Sequence, residues 1–299
     1  MTATVRTRPA ELSRLTTGAA GALFTFFWAS GFVSAKYGLP YADPFTFLAI
    51  RFAIALAILV PLALVWRARW PTDRRGLGHV VVAGLLVQSV YLIGVFYSIH
   101  FGVSTGVIAL IVGLQPLATG ALAAPLLGER VSPRQWVGLA LGFVGLGMVV
   151  AEKVDLAGGA VWGFWFGVLG LAGITLGTLY QKRFCADMDI RAAVTIQNAA
   201  SLALMAGLAL AFESRPVEWT GEFIFALLWS AVGLSVIAIA LYYLLVRHGA
   251  AARVTSLIYL SPPTTALMGW AVFGETFAAL ALAGMAVAVA GVALANRAA

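Results

Sequence analysis

The chain alternates long apolar runs with very short polar breaks, and no arrangement in water hides so much apolar surface. Crossing ~30 Å of hydrocarbon takes about 20 residues of helix. Ten runs approach or exceed that length: 17–36, 45–66, 78–99, 103–126, 134–151, 159–181, 192–212, 222–245, 253–273 and 277–295. The breaks carry charge, glycine or proline, as in RARWPTDRRG, GERVSP, EKVDLAGG and RHGAAR. Only 10% of the 299 residues are charged, against about 25% in a soluble domain. Mean hydropathy is +0.96. The class is an all-α integral membrane protein whose first partner is the lipid bilayer.

The basic residues orient the bundle. With the N-terminus inside, fifteen of the nineteen Lys and Arg fall on the inner side, and Lys36, Arg51, Lys153 and Arg215 on the outer. Positive charge favours the cytoplasmic side, so both termini are expected in the cytoplasm of a cell whose plasma (bacterial inner) membrane holds the protein. Residues 1–16 are read as a cytoplasmic tail and not as a cleaved signal peptide. The net charge of +7 belongs to these loop clusters. It forms no basic face of the kind nucleic acid requires, and no nucleic-acid partner is expected.

The stretch QPLATGALAAPLLGER (Gln115–Arg130) returns as SPPTTALMGWAVFGET (Ser261–Thr276), with proline and Gly-Glu at the same places. The offset is 146, and it holds without a gap. Gly31 meets Gly177, Lys36 meets Lys182, Asp43 meets Asp189, and Tyr97 meets Tyr243; Gly138 meets Gly284 and Gly145 meets Gly291. The echo divides the chain into 17–151 and 159–299, with five spans each. Five is odd, so the second copy enters the membrane from the opposite side. The expected fold is two inverted five-helix repeats around a central cavity, an architecture of secondary transporters. Such halves can exchange conformations and so move the opening from one face to the other.

Pro116 and Pro262 each remove a helix hydrogen bond inside spans four and nine. Glu129 and Glu275 then close those spans near water. The four are the hinge and gate candidates, with ordinary kinks and caps as the bland alternative. Small residues at four-residue spacing, Gly138, Gly142 and Gly145 in span five and Gly284, Ala288 and Gly291 in span ten, let helix backbones approach closely. They pack either the two halves or two protomers.

Ten spans in two inverted halves, each ending in Pro-x11-Gly-Glu before a short glycine-rich span, resemble the EamA-type transporters of the drug/metabolite transporter superfamily. FFWASGFVSAKYGLPYADPFTFLAIRF (Phe26–Phe52) is similar to that family's first hairpin. The second half departs from it where Gln197-Asn198 stands for Arg51-Phe52. The resemblance covers nearly the whole chain and implies a transporter. In overall character it is nearest to aromatic amino acid exporters.

Polar and aromatic residues in mid-span are costly against lipid and so mark a path. Gln88 and Tyr91 in span three are three residues apart and share a helix face. With Trp165 opposite they are the strongest substrate-binding candidates, joined by Trp28, Gln115, Tyr243 and Tyr259. Arg51 lies about two turns inside span two. It either snorkels outward, pairs with Asp43, or attracts a substrate carboxylate, and the structural roles are favoured. No Asp or Glu sits clearly in mid-span, which favours facilitated diffusion or exchange over obligatory proton coupling.

An intramembrane enzyme would need paired carboxylates, a Ser-His dyad or a metal motif. None stands at workable spacing, so no catalytic residue, metal or cofactor is expected. The sequence therefore points to an exporter of small amphipathic metabolites, foremost amino acids with aromatic or bulky apolar side chains. Another small metabolite or drug, such as a purine or a cationic toxicant, is the alternative substrate.

Overall fold

The computed structural model describes residues 8–127, 132–153, 160–238, 241 and 260–296. Every regular element among them is helical. In chain order they are α1 (Arg8–Gly38), α2 (Pro44–Val65), α3 (Arg74–Gly84), a π-helical segment (Leu85–Val90), α4 (Tyr91–His100), α5 (Thr105–Gly113), α6 (Gln115–Leu127) and α7 (Pro133–Lys153). Next come α8 (Ala160–Phe184), α9 (Ile190–Phe212), α10 (Gly221–Leu228), a second π-helical segment (Trp229–Ala238), α11 (Ser261–Phe273) and α12 (Ala279–Asn296). Five stretches are long and apolar enough to cross a bilayer: Pro44–Val65, Arg74–His100, Thr105–Leu122, Val161–Phe184 and Ile190–Phe212. Shorter apolar helices lie at Trp136–Val149, Gly221–Leu234 and Ala279–Leu294.

Local chemistry sets the helix ends. The same offset places Asp43 and Asp189 at helix N-caps, and both have extended backbone. The Asp189 carboxylate accepts the Arg191 N–H at 2.9 Å and the Arg69 N–H at 3.1 Å. The Arg191 guanidinium binds that carboxylate and also donates to the Trp66 carbonyl, tying the end of α2 to the start of α9. Asp43 makes no such cap. Instead Glu213, at the end of α9, accepts the Phe45 and Thr46 N–H groups at 2.8 and 2.7 Å and the Thr46 hydroxyl at 2.8 Å. Orphan N–H groups at a helix start must be paired, and here a neighbouring loop supplies the partner.

Helix α2 packs along α9, α4 along α8, α5 along α11, and α1 against both α10 and α11. The most extensive contact joins α7 to α12. A Cβ on Gly145 would collide with the Gly284 carbonyl oxygen and the Ala288 backbone, and one on Gly291 would stand 2.6 Å from the Gly138 carbonyl oxygen. The small residues of these two helices therefore pack the two halves of this chain together. Likewise a Cβ on Gly94 of α4 would fall on the Gly170 backbone of α8. Between helices in lipid, close packing replaces the hydrophobic drive available in water.

Pro116 and Pro262 fall at helix starts. Helix α5 ends at Gly113, Leu114 is its cap, and α6 begins at Gln115. Pro116 has no N–H to offer, and its ring crowds the carbonyl four residues back. Pro262 occupies the first turn of α11 and seats against Gly113, where a Cβ would come within 2.9 Å of its ring. At the other end of α11, Gly274 takes the left-handed conformation at φ 64°. Its N–H bonds to the Trp270 carbonyl, and the Glu275 N–H bonds back to the Gly269 carbonyl, which is how a helix closes on glycine. The matching Gly128-Glu129 lies outside the described residues.

Candidate functional site

A cavity of about 130 Å³ opens between elements from both halves of the chain. That is many times the ~10–15 Å³ one water needs. Helix α1 contributes Trp28, Gly31 and Phe32; α2 contributes Arg51; the first π-helical segment contributes Gln88. Tyr91, Leu92, Val95 and Phe96 come from α4, Asn198 from α9, and Ser230 and Leu234 from the second π-helical segment. Apolar walls thus surround a few polar groups, the usual make-up of a small-molecule site. Both π-helical segments contribute, and such segments recur at functional sites.

The packing that builds this space is specific. A Cβ on Gly31 would stand 3.0 Å from Leu234, so the glycine lets α1 approach the second π-helical segment. The Trp229 indole donates to the Ser30 hydroxyl at 2.8 Å, and Phe27 stacks on Trp229 at 5.3 Å. The Thr265 hydroxyl donates to the Ala29 carbonyl at 3.3 Å, holding α11 to the same turn of α1.

Three of the sequence candidates, Trp28, Gln88 and Tyr91, meet in this cavity. Trp165 does not: it is 64% exposed. The glycines of α8 decide this. Gly167, Gly170, Gly173 and Gly177 face α4, α5 and the first π-helical segment, which turns Trp165 outward beside exposed Trp162, Val168 and Leu169. Gln115 is also elsewhere, donating from Nε2 to the Thr178 hydroxyl at 3.2 Å. Its role is a link between α6 and α8. Tyr243 and Tyr259 lie outside the described residues. Arg51 is only 8% exposed, so it does not snorkel, and no ion pair joins it to Asp43 among the described residues. The sequence signal for its place in the cavity was a lone charge inside an apolar span.

A larger groove of about 580 Å³ runs between α11 and α12. Apart from Glu275 and Thr276 at one end, its lining is apolar, and Leu267, Trp270 and Leu282 are exposed there. It faces where lipid would lie and lacks converging polar groups. Size alone does not make it the site.

At one end of the bundle a polar cluster ties three helices. Lys36, in the last turn of α1, contacts the Glu275 carboxylate at 2.7 Å. Thr105, opening α5, gives that carboxylate its N–H and its hydroxyl, both at 2.9 Å. Gly269 is glycine because a Cβ there would collide with this carboxylate and with the Thr105 hydroxyl. Burial pushes the Glu275 carboxyl up, but the bonds from Lys36 and Thr105 together outweigh it, and the net shift is downward. Such a group stays ionised and bound at neutral pH. Among the described residues no group of His, Cys, Asp or Glu is placed to hold a metal ion.

A helical membrane bundle with a cavity that takes polar groups from both halves is the build of a small-molecule transporter. The EamA-like transporter family matches residues 17–151 and again 161–297, and the chain belongs to that family. An uncharacterized inner membrane transporter of Escherichia coli K12, YedA, is 28% identical over 258 residues, covering 86% of this chain and 83% of that one. A probable terminal-alkyne amino-acid exporter of Streptantibioticus cattleyicolor is 28% identical over 282 residues, 90% of each chain. A probable amino-acid metabolite efflux pump of Escherichia coli K12 is 25% identical over 166 residues, 56% of this chain and 53% of that one. One solved crystal structure shares the fold at a TM-score of 0.63 and 20% identity, covering 94% of this chain and 96% of the other.

Proposed function

We propose that the protein exports small amphipathic metabolites, foremost amino acids with aromatic or bulky apolar side chains, by alternating access between two inverted five-span halves. The observation that carries this is the cavity, to which both halves contribute and whose walls are aromatic around Arg51, Gln88, Tyr91 and Asn198. Aromatic walls suit flat apolar groups, while neutral amides and a phenol satisfy polar ends without burying many charges. Two relatives named as carrying amino acids or their metabolites support the same reading.

In this reading both termini face the cytoplasm, and the Lys36–Glu275–Thr105 cluster is the outer latch, closed in this conformation. Alternating access requires that latch to part while α5 and α11 bend where Pro116 and Pro262 break the helices. Pro116→Ala and Pro262→Ala should slow flux more than they weaken binding.

The test is efflux of labelled L-phenylalanine and L-leucine from proteoliposomes holding the full chain, with nucleosides and organic cations as controls. Replacing Gln88 by Ala removes one neutral hydrogen bond, about 0.5–1.5 kcal/mol, and should weaken apparent affinity several-fold without loss of folded yield. Flux of nucleosides or cations in place of amino acids, or unchanged amino acid flux in the Gln88 variant, sinks the proposal.

A further inference from the structure

Arg51 is more than nine-tenths buried, and among the described residues its Nε has no hydrogen-bond partner. No carboxylate pairs with it among the described residues. The Phe52 ring lies 5.8 Å from the guanidinium carbon, and Tyr91 shares the cavity wall. Among the described residues lining the cavity, it is the one charged group. A charge held out of water without a partner is expensive, and arginine cannot shed its proton to escape. The fold retains it beside an open space.

We propose that Arg51 is the carboxylate anchor of the cavity, so that the transported solutes are monocarboxylates held by their acid end. This rests on the transport reading above and narrows its substrate class. The guanidinium offers five N–H donors in a fixed fork that matches the two oxygens of a carboxylate. Away from bulk water the attraction is far stronger than at a surface. A cationic solute would meet like charge here and be rejected.

Asn198 supplies the other end of an amino acid. Its Nδ2 donates to the Val194 carbonyl at 2.8 Å, and among the described residues Oδ1 remains available to accept from an ammonium. The two groups sit side by side under the repeat: the offset of 146 carries Phe52 onto Asn198 and Arg51 onto Gln197. Gln197 turns away, bonding Gln181 at 3.3 Å. Among the described residues only one half therefore brings positive charge to the cavity, and a bound solute has one preferred orientation.

The experiment measures binding to the full chain in lipid nanodiscs, by thermal shift and calorimetry, for four compounds that differ only in their ends. L-Phenylalanine has acid and amine, 3-phenylpropionate the acid alone, phenethylamine the amine alone, and L-phenylalaninamide neither acid nor its charge. Both acids should bind, the other two at least tenfold more weakly. Arg51→Gln should weaken both acids by roughly tenfold or more, as expected for a charge-assisted hydrogen bond. Arg51→Lys should retain part of the binding. Because Nε has no hydrogen-bond partner and no carboxylate pairs with the guanidinium among the described residues, neither variant should melt below the wild type.

Equal binding of 3-phenylpropionate and phenethylamine to the wild type overturns the anchor, as does acid binding that survives Arg51→Gln. If L-phenylalanine and its amide are bound and exported alike, the anchor fails while the transport reading stands. If 3-phenylpropionate binds through Arg51 and L-phenylalanine does not bind, the anchor stands and the amino acid reading fails.

Discussion

The seam between α7 and α12 obeys the internal repeat residue by residue, and the central cavity breaks it. In the seam, Gly145 meets Gly284 and Gly291 meets Gly138. The offset of 146 maps each of these pairs onto the other. In the cavity, Arg51 is charged and faces the open space, while its counterpart Gln197 is neutral and bonded to Gln181. Close helix packing needs only small residues at fixed spacing, so duplication preserves it. Recognition of an asymmetric solute needs different chemistry at its two ends, and in the proposed reading that is why the two copies diverge at the cavity.

The sharpest way to break this comparison is to overfill the seam. Gly145→Val and Gly291→Val should each lower stability by about 1–3 kcal/mol, the usual cost of forcing atoms into a packed interface. The two losses should be of similar size. Gly147→Val, where a Cβ meets nothing within 4 Å, should leave the melting temperature unchanged. Unequal effects at Gly145 and Gly291 would end the claim that the seam is symmetric.

A smaller effect is expected at the Glu275 cluster. Glu275→Gln removes a charged acceptor and should cost roughly 1.5 kcal/mol, near the lower end for bonds to charged groups, because the Lys36 side chain keeps 35% exposure and can rehydrate. The pH dependence has a defined sign. A carboxyl held below its ordinary value of 4.5 contributes its full stability above that value and loses it as pH falls through the lowered one. The stability gap between wild type and Glu275→Gln should therefore stay constant from neutral pH to about 4.5 and shrink below it. Thermal unfolding across that range measures it, and a gap that closes near neutrality contradicts the geometry.

The finest comparison sets the two cap residues against each other. Asp189→Ala should cost about 1 kcal/mol, as loss of an N-cap does. Asp43→Ala should cost less, because Glu213 already serves the start of α2. Equal losses would mean that Glu213 does not replace the Asp43 cap.

Much of this was legible in the chain. Apolar run length anticipated the helices, because in lipid a span has little choice but to be helical. Glycine spacing anticipated the seam, and Pro116 marked the break after α5. The aromatic candidates separated for a physical reason. Tryptophan in mid-span is compatible with a cavity or with lipid, so Trp28 and Trp165 look alike in isolation. The glycine stripe of α8 held the missing information, since it fixes which face of that helix is packed and leaves Trp165 on the other. Gln115 is expected among the substrate-binding residues because it is polar in mid-span; its partner Thr178 lies in the other half, beyond the reach of local spacing. For Arg51 the structural roles are favoured in the sequence because a lone arginine two turns inside a span commonly snorkels outward, and only the tertiary packing shows that it is buried beside the central cavity.

The π-helical segments have a consequence for how such a chain can change over time. Each inserts extra backbone into a helix, and the two coincide under the repeat: Leu85–Val90 maps onto 231–236, inside Trp229–Ala238. One residue added to or removed from an α-helix rotates everything beyond it by about 100°. Deleting a single residue from Leu85–Val90 to restore a plain helix would swing Gly94 away from Gly170 and turn the face of α4 out of phase with α3. The bulge in span three and its match in span eight thus act as phase marks. A gap-free offset survives because both copies kept the same irregularity, and a length change in one copy would need an answering change in the other.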